Sequence, residues 1–273
     1  DDVESRGLGD VYKRQRQWFT AGDERLYLRV GANMNKEKLL DENSKHALQS
    51  DNIIAITNRH LCHRPFMEQL ERVCKLHPHA IVLREKDMPE AEYLSLARDV
   101  IALCKKYDVQ CMLHSFINVA MELEHPYIHL PLPILEAYIK KDMPGDISTG
   151  MSKSTDNYQQ FFKVIGTSVH SVEDAIKAEQ LGATYMTAGH IFATDCKKGL
   201  PPRGLDFLKN VCDAVGIPVY AIGGINIASS CDSTTSDAPS TYDAMPDISV
   251  PRLADVIECG AAGGCIMSGM MRV

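Results

Sequence analysis

Two glycine-bearing segments stand near the end of the chain, Gly223-Gly224-Ile225-Asn226 and Ser268-Gly269. Small residues in such turns free backbone N–H groups to converge on an anion. Either segment alone reads as a tight turn; the pair, on successive strands, reads as a phosphate site. Arg84 and Lys86 occupy alternate positions of an extended segment, so both side chains take the same side. Two cations there suit an anionic group, unless one of them pairs internally with Glu85. His170 ends the segment Ser168-Val169-His170. A lone histidine is more often structural than catalytic, but a strand-end position suits this one to acid/base work near neutral pH. His114 is a second acid/base candidate by position alone. The loop over 189–204, G-H-I-F-A-T-D-C-K-K-G-L-P-P-R-G, carries Thr194, Lys197, Lys198 and Arg203. It reads either as a solvated charge run or as a cover for an anionic ligand. Cys196 lies in it without a neighbouring base and is not read as a nucleophile.

These groups need a scaffold. Short apolar runs over 53–57, 80–83, 110–113, 127–130, 163–168, 184–188, 218–222 and 264–267 predict eight strands. Helical patterns fall between several of them, over 65–76, 89–107, 205–215 and 252–259. In the second helix Leu94, Ala97, Ile101 and Cys104 recur at three and four residues and make one buried stripe. Ser171 is placed to cap a helix with the apolar face Val172, Ala175, Ile176 and Leu181, and Gly182 to stop it. Strict alternation of strand and helix implies a parallel α/β sheet. Eight units predict a (β/α)8 TIM barrel, whose function gathers where strands end. A doubly wound open sheet is the alternative, but no G-x-G-x-x-G follows the first strand.

The chain has 273 residues, 45% of them hydrophobic, enough for one large core. A net charge of −7 argues against a nucleic-acid surface. No apolar run reaches the length of a membrane span, so a cytoplasmic protein is expected. The nine cysteines are scattered without a C-x-x-C pair, which predicts reduced thiols and no zinc site. Residues 1–15 do not read as part of a fold and look like a fusion scar; 1–50 is read as a non-native or disordered extension, with Met34 a natural start. Residues 51–273 form the barrel, interrupted by a Ser/Thr/Asp/Pro-rich flexible insertion over 228–250. The chain stops soon after the last strand, as though the closing helix were lacking. A homo-oligomer is compatible with all of this.

Together these residues resemble the thiamine phosphate synthase/TenI family. The resemblance runs from Ile53 to the end and rests on L-R-E-K (83–86), I-G-T-S-V-H-S (165–171), G-H-I-F-A-T-D-C-K-K-G (189–199), A-I-G-G-I-N (221–226) and G-A-A-G-G-C-I-M-S-G (260–269). The 189–204 loop resembles the TenI branch in particular. The family implies one of two activities: Mg²⁺-dependent coupling of a pyrimidine diphosphate to a thiazole phosphate, or metal-free aromatisation of a carboxythiazole phosphate tautomer. It implies His170 as catalytic, Lys197 as the family lysine, and Ser168, Thr194 and Met267 beside Arg84, Lys86, Gly223, Gly224 and Ser268 around the substrate. Where synthases carry Asn-Asp after strand three, this chain has His114 and Ser115; where they carry a second Asp after strand four, it has Ile134; and the synthase Gln before the strand-two Arg is Val82. Magnesium takes hard oxygen ligands, so the expectation is a thiazole tautomerase without cofactor. The alternatives are a synthase using Mg²⁺ and a non-catalytic binder of thiazole phosphates.

Overall fold

A computed structural model describes residues 52–140, 161–194, 197, 199–227 and 250–273. The expected extension over 1–50, Cys196, Lys198 and positions 228–249 of the insertion lie outside the described residues.

The strands are β1 (Ile53–Ile56), β2 (Ala80–Leu83), β3 (Gln110–His114), β4 (Tyr127–Pro131), β5 (Val164–Val169), β6 (Tyr185–Gly189), β7 (Val219–Ile222) and β8 (Gly263–Ile266). Each pairs parallel with the next, and β1 pairs with β8 to close the barrel. The helices are α1 (Phe66–Lys75), α2 (Glu90–Lys106), α3 (Ile117–Glu122), α4 (Leu132–Lys140), α5 (Val172–Gln180), α6 (Gly204–Ala214) and α7 (Leu253–Glu258). None of the described helices is long and apolar enough to cross a membrane.

Both faces of each strand are covered, which is why the strands read as nearly continuous apolar runs. Side chains alternate. Ile54, Val82, Met112, Tyr220 and Cys265 fill the interior, while Ile81, Leu83, Leu113, Ile128 and Leu130 meet the helices outside. The buried stripe of α2 is Tyr93, Ala97, Val100 and Cys104; Leu94 and Ile101 sit at its edges. Ser171 caps α5 as expected, its Oγ accepting from Asp174 N at 3.0 Å. The seven cysteines among the described residues are unpaired.

Three expectations are corrected. β3 to β6 run one residue further than expected, because the ladder pairing continues past the apolar runs: His114 registers with His129, Pro131 with Ser168, Val169 with Ala188, and Gly189 with Ile222. α3 and α4 lack cap or periodicity signals and were not expected. Val250, placed in the flexible insertion, is 4% exposed and belongs to the core, where an apolar side chain next to α7 finds cover.

One glycine is dictated by the barrel interior. His129 on β4, Gly166 on β5 and Tyr185 on β6 share one register row. A Cβ at Gly166 would lie 2.1 Å from Tyr185 Cζ. The ring cannot swing away cheaply, since Tyr185 is buried and its hydroxyl is bonded to His129. Gly166→Ala is therefore expected to lower stability by about 3 kcal/mol, read as a shift in the urea midpoint. Replacing Tyr185 by leucine in that background should recover part of the loss.

Candidate active site

The C-terminal rim of the barrel carries two groupings joined by the end of β5. The first spans β6 to β8. Gly223 and Gly224 hold φ of +104° and +69°, a left-handed pair that only glycine adopts freely. A Cβ on Gly224 would stand 2.5 Å from the Ala193 carbonyl and 2.7 Å from Phe192 Cβ. The turn is thus pressed against the start of the loop after β6, the loop that carries Thr194 and Lys197. The turns after β7 and β8 meet as well, with Ser268 Oγ 3.4 Å from Asn226 Oδ1. Met267 packs against the interior cluster below. Arg252, not singled out from sequence, donates to the Gly224 carbonyl at 2.9 Å and lies over the Phe192 ring at 4.5 Å. It ties the glycine turn to the β6 loop from across the insertion.

The second grouping spans β2 to β4. Arg84 is half-buried and Lys86 exposed. Neither takes Glu85 as a partner. The buried Glu85 carboxylate instead accepts from Thr57 Oγ1 at 2.6 Å and pairs with Arg59 Nη1 at 3.0 Å. Among the described residues Arg84 and Lys86 form no ion pair, and partial desolvation of its ammonium, then the charge of Arg84, pulls the Lys86 pKa down. Beside them stand His114 and His129, buried, with ring centroids 5.6 Å apart. Burial first, then His129, Lys86 and Arg84, depress the His114 pKa to about 2. Burial and the same two cations depress that of His129 to about 3. Both imidazoles are neutral at pH 7. His114, the second acid/base candidate by position, has Nδ1 2.7 Å from Ser115 Oγ and is held as a neutral imidazole.

At the end of β5 the two groupings meet. Ser168 Oγ lies 2.9 Å from His129 Nε2 and accepts from Thr187 Oγ1 at 2.9 Å. His129 Nδ1 is 2.9 Å from the Tyr185 hydroxyl. Two residues on, His170 is exposed, with Nδ1 3.4 Å from the Gly189 carbonyl. Arg203 Nε donates to that carbonyl at 3.0 Å. A carbonyl only accepts, so this contact favours the proton on Nδ1 and leaves Nε2 as the basic nitrogen. His129, Tyr185 and Thr187 were not legible as site residues. A histidine inside an apolar strand run reads as core, and only its alternation in phase with Pro131 and the strand end hints that it faces inward.

The rim can also be tested against magnesium. The two positions at which the family resemblance implies carboxylates hold Ser115, next to His114, on one strand end and Ile134, packed on the outer core, near the other. Neutral imidazoles beside two cations do not supply the hard, anionic oxygen ligands that Mg²⁺ takes. The described residues at this rim do not fit the metal.

A closed parallel barrel of eight strands, with polar and charged side chains gathered at its C-terminal rim, defines a (β/α)8 protein with an enzyme-like mouth. The model of the thiamine monophosphate synthase family matches residues 53–270, and the chain belongs to that family. Among curated relatives, a putative thiamine-phosphate synthase 2 of Aquifex aeolicus is 34% identical over 173 residues, 63% of this chain and 84% of that one. A thiamine-phosphate synthase of Clostridium tetani is 31% identical over 146 residues, 54% of this chain and 63% of the relative's length. The solved thiamine phosphate pyrophosphorylase from Pyrococcus furiosus shares the fold, with a TM-score of 0.56 and 24% identity over 82% of this chain and 89% of that one.

Proposed function

We propose that this chain acts in thiamine biosynthesis on a thiazole phosphate, and that its step is the aromatisation of a carboxythiazole phosphate tautomer by proton transfer without metal. The observation that carries this reading is the chemistry of the β3–β4 rim. Coupling a pyrimidine diphosphate to a thiazole needs metal-assisted departure of pyrophosphate, and this rim offers imidazole and hydroxyl groups in its place. Proton transfer needs only a positioned base and a held substrate. The Gly223-Gly224 and Ser268 turns hold the phosphate through backbone N–H groups, and Thr194 and Lys197 close over it. Arg84 and Lys86 supply positive charge on the opposite rim, Ser168 a hydroxyl and Met267 an apolar floor. His170 Nε2 moves the proton at the ring carbon. Partners beyond this small substrate, whether nucleic acid or membrane, have no part in the reading.

A second reading is thiamine-phosphate synthase itself, a Mg²⁺-dependent transferase. The names of the relatives favour it. One preparation assayed two ways separates the two. Aromatisation of the tautomer in EDTA supports the first; thiamine phosphate formed from the two half-substrates only with Mg²⁺ replaces it with the second.

A further inference from the structure

The polar row beneath the mouth has one arrangement of protons that satisfies it. Tyr185 is buried, and its hydroxyl has His129 Nδ1 as its hydrogen-bond partner among the described residues. A buried O–H without an acceptor is costly, so Tyr185 donates and Nδ1 accepts. The single proton of the neutral imidazole is then on Nε2, which donates to Ser168 Oγ. Thr187 is 1% exposed and its hydroxyl has Ser168 Oγ as its partner, so it donates there too. Ser168 Oγ thus accepts from two donors, which fills both lone pairs. Its own hydrogen has no acceptor in this network, and Ser168 is the one member that is half-open to the mouth.

We infer that Tyr185, His129 and Thr187 are positioning residues that fix Ser168 as a hydrogen-bond donor into the mouth, where it binds an anionic oxygen of the ligand. The inference rests on the ligand site proposed above, but the relay itself does not depend on which step is catalysed. Gly166 belongs to the same device. Its missing side chain lets β4 and β6 side chains bond across the intervening strand, His129 to Tyr185. The acceptor oxygen belongs either to the substrate phosphate or to its ring carboxylate, and the two have the same hydrogen-bond chemistry.

Nitrogen-15 NMR of the histidine rings in the whole protein reads the relay directly. A neutral ring protonated on Nε2 is expected for His129, identified as the signal that changes in Tyr185→Phe. A ring protonated on Nδ1 overturns the inference whatever the ligand. Titration with thiazole phosphate, with and without the ring carboxylate, reads the consequence. Ser168→Ala should weaken binding about tenfold, the size of one hydrogen bond to a charged acceptor. Loss with both ligands assigns the phosphate; loss with the carboxylated one alone assigns the carboxylate. Tyr185→Phe should weaken binding in the wild-type background and add nothing in Ser168→Ala, since it acts through Ser168. Equal binding by wild type and Ser168→Ala, or additive losses, overturns the inference. No binding of either ligand to wild type overturns the functional reading and the ligand arm together, while the ring spectrum still decides the relay.

Discussion

Replacing His170 by alanine is expected to slow aromatisation of the carboxythiazole phosphate tautomer by about 10²- to 10⁴-fold, the usual contribution of a positioned acid/base group. The loss should appear in kcat, with KM little changed, because on the proposed reading the phosphate is held by the turns after β7 and β8 and not by the His170 ring. Stability should hardly move. His170 is exposed, and its ring makes one long contact, 3.4 Å to the Gly189 carbonyl. That carbonyl keeps its bond to Arg203 when the ring is gone. A steady-state assay beside a melting curve checks both halves. An unchanged kcat removes His170 from the chemistry, and a collapsed melting point makes it structural.

The second large effect is on stability in mild acid. His114 and His129 stay neutral in the folded chain down to about pH 2 and 3, because burial and the nearby cations oppose a further charge. Unfolded, each titrates at 6.5. Below that pH the unfolded chain takes up protons that the folded chain refuses, so stability is complete above pH 6.5 and falls as pH drops. The slope is about 1.4 kcal/mol per pH unit for each ring, or about 3–4 kcal/mol for the pair by pH 5. Carboxylates with depressed pKa values, such as Glu136 held down by Lys140 and Lys177, lose their contribution only below the ordinary carboxylate range. The interval from pH 6.5 to 5 therefore isolates the histidines, with His125, whose pKa burial also lowers, adding to the pair in the same direction. Urea midpoints at pH 7.5 and 5.0 should differ strongly in the wild type and much less in the double variant His114→Asn, His129→Gln. A flat wild-type profile contradicts the burial of both rings as neutral groups.

The barrel was legible because parallel strands covered on both faces leave apolar runs of four or five residues separated by amphipathic stretches. The alternation survives even where a connecting helix is not recognised. α3, with the sequence I-N-V-A-M-E, is too short to show a period, and α4 carries a proline at its second position and was passed over. The glycine turn at 223–224 and the strand-end His170 were visible because their place after a strand already says where they sit. The relay through His129 was not. It depends on the register that sets His129 against Gly166 and Gly166 against Tyr185, a relation between residues 37 and 19 positions apart that no local pattern encodes. The same holds for Glu85. Its neighbours Arg84 and Lys86 suggested an ion pair, but the partner is Arg59 in the loop after β1, 26 residues away. Adjacent residues on a strand point to opposite faces, so chain neighbours are poor candidates for partners.

On the proposed reading the mouth holds a thiazole phosphate without the help of a metal. Calorimetric titration of the protein with thiazole phosphate in EDTA tests it most directly. Saturable one-to-one binding is predicted, unchanged when Mg²⁺ replaces EDTA and lost in Gly224→Ala, whose added Cβ collides with the β6 loop. Binding that appears only when Mg²⁺ is present would contradict it.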